Sequence, residues 1–247
     1  MGRALAQSCV ERTARRLHFP SMIKPLAFAA LLLLPTAAAA QSVPVAPGLP
    51  GWQTLAFSGI PENRWGEAGG ALTVESPAGS SLLYAPVSVD PRATPILRFR
   101  WRVDQGPPAT DLSRKGGDDR AVALGVGFRW LPSRAGFVAQ MKRPLVEGKL
   151  GPDAPGRAIE LAWGGTAPRG TSFASPYGGE DSQIVVLRDS GAPTGQWIEE
   201  RVDLAALHRQ LWGDEAPAIV QVAVLADGDD TGTTIRAQVA DIRFTAD

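Results

Sequence analysis

The sequence predicts an all-β chain, a single antiparallel β-sandwich of jelly-roll type with one short connecting helix. Three observations carry this. From Gly51 onward apolar residues recur at every second position over short stretches, the period of strands. Clusters of Gly, Pro, Asp and Ser separate those stretches, as turns between strands require. No helical pattern alternates with the strands, which argues against a parallel α/β sheet.

Taken in order, strands are expected at Leu72 to Ser76, Leu82 to Val89, and Leu97 to Val103. In the last, Leu97, Phe99, Trp101 and Val103 share one face and three arginines share the other. Val122, Leu124, Val126 and Phe128 repeat the pattern, but Ala121, Ala123, Gly125 and Gly127 lie between them. The second face of that strand is small, so other backbone or a ligand packs close there. Further strands read as Ile159 to Trp163, Ile184 to Arg188, Trp197 to Val202, Ile219 to Ala226 and Thr234 to Phe244. In the final strand Ile235, Ala237 and Val239 are out of phase with Ile242 and Phe244, which one extra residue near Asp241 reconciles as a bulge. The connecting helix starts at Asp203 as N-cap, carries Leu204, Leu207, His208 and Leu211 on one stripe, and ends at Gly213. Arg143 to Arg157, rich in proline and glycine, reads as the longest internal loop.

The first forty residues differ from the rest. Lys24 precedes an apolar run, Leu26 to Leu34, and Ala38 and Ala40 then satisfy the small-residue rule for signal cleavage. We therefore expect a signal peptide over residues 1–40, a flexible linker over 41–50 and the sandwich domain over 51–247. The nine-residue run is too short for a membrane span of roughly twenty residues. No transmembrane segment is expected in the mature chain, and the product is expected to be periplasmic or secreted. Met22 offers a second, more ordinary translation start than Met1.

The leader holds five basic residues, Arg3, Arg12, Arg15, Arg16 and Lys24, against Glu11 alone. The other 207 residues therefore carry 20 basic and 24 acidic side chains, a mildly acidic body that does not suit nucleic acid. Cys9 and His18 also fall in the leader, leaving His208 as the one histidine of a cysteine-free body. Disulfides, thiol catalysis, iron–sulfur clusters and zinc sites built on cysteine or several histidines are excluded. No G-x-S-x-G occurs, and Gly125-Val-Gly127 lacks the third glycine and the helix of a nucleotide-binding turn.

Trp101-Arg-Val, Asp111-Leu-Ser-Arg-Lys-Gly-Gly-Asp-Asp119, Leu161-Ala-Trp163, Gln196-Trp197, Arg201-Val-Asp203, Leu211-Trp-Gly213 and Asp227-Gly-Asp-Asp-Thr231 stand in this order along the chain. Together they resemble an uncharacterised bacterial exported family catalogued only as a domain of unknown function. The resemblance covers Gly51 to Phe244 and departs at Arg120-Ala121, where an aromatic would follow the paired aspartates. It implies an exported sandwich domain and no particular reaction.

Candidate ligand-binding residues are Lys115, Asp118, Asp119, Arg120, Trp130, Trp163 and Tyr177. The charged groups and Trp163 would supply the convergent polar contacts and platform of a pocket, while Trp130 and Tyr177 sit where an aromatic face can stack on a sugar ring; the plainer reading of Trp163, as of Trp101, is a core residue, because both alternate with apolar strand positions. The plainer role for Asp118 is a turn or an ion pair with Arg114 or Lys115. Adjacent strand residues project to opposite faces, so neither Asp118-Asp119 nor Glu199-Glu200 is by itself a glycosidase pair. Asp227 and Asp229 imitate positions one and three of a calcium loop with Gly232 at six, but Gln238 stands where a bidentate glutamate belongs. The plain reading of that loop is a polar hairpin. Asp241, in the final strand, is a second calcium candidate by fold analogy, its plainer reading being an outward-facing strand residue at a bulge. No other cofactor is expected. The leading function is an exported non-catalytic module binding carbohydrate or another cell-envelope ligand, a small molecule or glycan. The alternatives are a carboxylate-dependent glycoside hydrolase and an envelope protein-interaction domain.

Overall fold

The computed structural model describes residues 41–43 and 51–247. The expected signal peptide and residues 44–50 of the expected linker lie outside the described residues. Two sheets form a sandwich. The first contains β1 (Gln41–Ser42), β3 (Arg64–Ala68), β4 (Ala71–Pro77), β6 (Ile96–Gln105), β11 (Ile198–Asp203) and β13 (Thr234–Thr245). Its order is β11-β6-β13-β4-β3, and β1 adds to β13, so the described start of the expected linker is paired. The second contains β2 (Gln53–Ala56), β5 (Ser80–Val89), β7 (Arg120–Phe128), β8 (Ala158–Trp163), β9 (Ser172–Ser175), β10 (Gly179–Arg188) and β12 (Ile219–Asp227). Its order is β2-β5-β12-β7-β8-β10-β9.

The alternating apolar residues meet between the sheets. Trp101 of β6 and Trp163 of β8, both fully buried, cross the interface with ring centroids 5.4 Å apart, and Phe99 packs edge-on to Trp101 at 5.0 Å. An edge-to-face approach sets the positive rim of one ring against the negative face of the other. The small face of β7 is filled by the chain itself. A Cβ on Gly127 would stand 2.7 Å from Pro155 Cβ, and one on Gly125 would stand 3.3 Å from Ala223 Cβ. Farther along that face Ala123 lies in a second apolar cluster with Leu112, Ala162, Ile184, Val186 and Leu225. The bulge in β13 falls where the phase change requires it, with a register shift between Ala240 and Arg243 and Asp241 at φ 55°.

Three expectations are corrected. The sandwich is not purely antiparallel, because β8 and β10 pair parallel; the chain between them turns back through β9, which adds to the far side of β10. There are two α-helices among the described residues, not one. The second, α2 (Leu204–Trp212), is the expected helix: Asp203 Oδ1 accepts from Ala206 N at 2.9 Å and Gly213 ends it in the left-handed region at φ 77°. His208 is buried between Phe128 and Trp212, with centroids 4.8 and 4.7 Å away. The first, α1 (Phe137–Leu150), occupies half of what reads as a loop. Its N-cap, Gly136, offers no capping side chain, Pro144 stands inside it, and Phe137, Val138, Met141 and Leu145 face outward. The usual sequence signals for a helix against a core are therefore missing. No helix among the described residues is long and apolar enough to cross a membrane.

Trp163 thus belongs to the core and not to a ligand platform. Trp163→Ala is expected to cost about 3–5 kcal/mol of unfolding free energy, measured by urea denaturation, because a large cavity opens between the sheets.

Candidate functional site

Where β7 begins, β12 ends, and the loops preceding and following those strands meet, the sandwich concentrates its buried charge. Arg120 opens β7 with its guanidinium inside the protein. Its Nη2 donates to Glu160 Oε2 of β8 at 2.8 Å, and its Nη1 donates to the Asp118 carbonyl and lies 3.5 Å from Asp227 Oδ2 and 3.6 Å from Asp118 Oδ2. Burial works against the charge of Arg120, but Glu160, then Asp227 and Asp118, outweigh it and hold the group above the ordinary arginine value. The guanidinium is a structural tie among three carboxylates, already committed to the protein.

Asp119 is fully buried and fastens the loop after β12. Thr231 N–H donates to its Oδ2 at 2.8 Å, the Thr231 hydroxyl donates to the same oxygen, and Asp230 N–H donates to Oδ1 at 3.3 Å. The adjacent aspartates thus do different work, Asp118 toward Arg120 and Asp119 toward the 230–231 turn. Asp118 pairs with Arg120, while Arg114 pairs with Asp111 at 3.7 Å.

Asp227 is the most perturbed acid here. Its carboxyl is pushed up to about 8, first by burial, with Arg120 opposing and Asp229 reinforcing the shift. Its Oδ1 is buried without a hydrogen-bond partner among the described residues. Burial also raises Asp118, with Arg120 opposing, and raises Asp230, which the neighbouring Asp229, Asp119 and Asp118 push further. One oxygen from each of Asp119, Asp227 and Asp229 can lie within 4.8 Å of the others, the donor set of a hard cation such as calcium. Asp241 takes no part. It lies on the other sheet, half-exposed, and pairs with Arg100 at 2.7 Å, so the carboxylate that joins Asp227 and Asp229 is Asp119.

Above this cluster stands Tyr177, in the turn between β9 and β10, 68% exposed. Lys115 Nζ lies 5.2 Å from its ring centroid. Its hydroxyl is pushed above the usual phenol range, first by partial desolvation and then by the negative charges of Asp118, Asp230, Asp229 and Asp227. Folding therefore brings together Lys115, Asp118, Asp119, Arg120, Tyr177, Asp227 and Asp229. It does not bring in Trp130, which lies ten residues along from Arg120, roughly 30 Å in extended chain. There Trp130 is stacked by Arg143 at 4.9 Å and lines an open groove of about 380 Å³ with Pro152 and Asp153.

Sequence reasoning missed Glu160, Ser182, Asp230 and Thr231. Glu160 carried a signal, a lone acid between Ile159 and Leu161 that faces the small side of β7; it also accepts from Ser182 Oγ at 3.3 Å. Asp230 and Thr231 join the site through their backbone N–H groups, which donate to Asp119, a contact no local pattern signals.

Residues 50–243 match the family described as "Protein of unknown function (DUF3047)". The chain belongs to that family. No curated protein matches it. Among solved structures, the DUF3047 chain is similar to a family 29 carbohydrate-binding module variant, with 12% identity and a TM-score of 0.38 over 85% of this chain and 93% of that one. It is also similar to the family 11 carbohydrate-binding module from Clostridium thermocellum, with 8% identity and a TM-score of 0.40 over 85% of this chain and 97% of that one.

Two outcomes are expected at this site. Arg120→Met leaves the Glu160 carboxylate without its cation and removes the donor beside Asp118 and Asp227, and should lower stability by about 3–5 kcal/mol in urea denaturation. The second concerns pH, measured with a chelator present. Between roughly pH 4 and the folded value of about 8, folded Asp227 keeps a proton that the unfolded chain has released. Its contribution to stability is therefore full below that window and is lost as pH rises through it. Asp227→Asn, an isostere of the protonated form, should flatten this part of the thermal-midpoint profile.

Proposed function

We propose that this domain is an exported, non-catalytic binding module whose ligand is a glycan or another polar component of the cell envelope, held at the Tyr177 end of the sandwich. The observation that carries the reading is the pairing of one exposed aromatic ring with a fixed set of acceptors beneath it. Tyr177 is the one exposed large aromatic at this end of the domain, and Lys115 and the aspartates converge around it. Carboxylates accept hydrogen bonds from sugar hydroxyls, an aromatic face packs against the apolar face of a sugar ring, and the ammonium of Lys115 supplies a donor. The acceptors that reach the surface, Asp229 and Asp230, are held in place before any ligand arrives, because buried Asp119 fastens the 230–231 turn that carries them, so little ordering entropy remains to be lost on binding. The leader, with its basic residue, apolar run and Ala38-x-Ala40, supports export.

The test is isothermal calorimetry and thermal unfolding against a panel of cell-wall and polysaccharide fragments. A fragment that binds should raise the unfolding midpoint, and Tyr177→Ala should weaken it about tenfold or more, about 1.4 kcal/mol, without changing the midpoint of the free protein. Trp130→Ala should leave affinity unchanged. No binding by any fragment, or equal binding by the Tyr177 variant, rejects the site. Cleavage of a fragment, lost in Asp227→Asn, would replace binding with hydrolysis.

A further inference from the structure

Four of the five large hydrophobic side chains exposed among the described residues stand on one helix. In α1, Phe137 is 78% exposed, Val138 61%, Met141 66% and Leu145 73%. At 100° per residue these four fall within about one hundred degrees of the helix circumference. Lys142 and Lys149 border the stripe on the Val138 side, both exposed and in no ion pair among the described residues. The helix's one acid, Glu147, lies on the opposite side, bound by Arg143 Nε at 2.7 Å.

The helix is mounted with its usual orientation reversed. Its polar side chains hold it to the domain: Arg143 donates to the carbonyls of Pro155 at 2.9 Å, Ala154 at 2.7 Å and Pro152 at 3.3 Å, and Gln140 Nε2 donates to the Ala135 carbonyl at 2.9 Å. A helix placed for core stability buries its apolar stripe; this one turns the stripe to the outside while spending its arginine on attachment. The arginines around the helix are engaged within the protein, Arg134 and Arg157 with Asp214, Arg157 also with Asp181, and Arg143 with Glu147, so the cations left beside the stripe and in no ion pair among the described residues are Lys142 and Lys149.

From this geometry we infer that α1 is a membrane-docking element: its Phe137, Val138, Met141 and Leu145 enter the headgroup and acyl boundary of an anionic phospholipid surface, with Lys142 and Lys149 at the phosphates. The stripe is convex and flat-sided, which suits a deformable lipid surface; lysines beside an apolar stripe lie along its edge and reach the headgroups. A second copy of the chain fits less well, since two such faces would bring four lysines together with no acid on either.

The test is cosedimentation of the protein, purified as its cells process it, with vesicles of phosphatidylglycerol and phosphatidylcholine and with vesicles of phosphatidylcholine alone. The protein should pellet with the anionic vesicles and stay in solution with the neutral ones. Met141→Asp with Leu145→Asp should abolish pelleting, and Lys142→Gln with Lys149→Gln should weaken it roughly thirtyfold, with thermal midpoints unchanged because all four side chains are exposed. Tyr177→Ala should pellet as the parent does, which separates this inference from the ligand site. The inference is overturned if the parent stays in solution, if the α1 variants pellet as it does, or if neutral vesicles bind equally. Binding only to protein-bearing native membranes, or a dimer lost in the aspartate variant, would assign the helix to a protein partner or to self-association.

Discussion

A strand buried on both faces fixes the rest of this molecule. On the inner side of β7, Val122, Leu124, Val126 and Phe128 fill the space between the sheets; on the outer side only hydrogen or methyl groups fit, because Pro155 and Ala223 lie against Gly127 and Gly125. The alternation of branched and minimal side chains lets one strand serve as the wall of the core and as the floor of an outer layer. That outer layer carries the candidate site and the helix α1. At the start of β7 the loop through Leu112 is drawn over the sheet and delivers Lys115 and Asp118; at its end the segment after α1 lies on Gly127 and mounts the helix through Arg143.

Asp118, Asp119, Asp227, Asp229 and Asp230 crowd the Tyr177 end, around one buried guanidinium that cannot compensate all of them, and the shifted acids there are the result. Such a site is suited to hydroxyl-bearing or cationic ligands and hostile to anions. The α1 helix carries the exposed apolar side chains, bordered by Lys142 and Lys149. A near-neutral formal charge therefore conceals a cluster of buried and shifted acids around Arg120 and, apart from it, an apolar helix face bordered by two lysines.

Buried charge here organises position more than it adds stability. Desolvating Arg120 and its three carboxylates costs free energy that their mutual attraction offsets only when every partner is in place. The gain is geometric: Arg120 aligns the ends of β7, β8 and β12, and Asp119 fixes the turn beside them, so the acceptors under Tyr177 keep one arrangement.

The sequence by itself determined the nine strands with clear alternation, the bulge at Asp241, the capped helix α2 and the close packing on the small face of β7. Each rests on a local rule, a period of two, a phase change or a cap, that needs no knowledge of distant residues. It also placed Lys115, Asp118, Asp119 and Tyr177 among the candidates, because charge and aromatic character at loop ends are visible in one dimension. What it could not show was which side each group faces. Trp163 is core, as its strand alternation made the default, and not a platform; Arg120 looked like a ligand contact and is a structural tie; Trp130 lies elsewhere on the surface, and Asp241 is the outward-facing bulge residue of its plainer reading. Glu160 joined Arg120 only through the β7–β8 register, and α1 escaped notice because its apolar stripe faces away from the core whose periodicity reveals helices. Tertiary structure alone decided these points, since burial and cross-strand contact are properties of pairs of residues far apart in the chain.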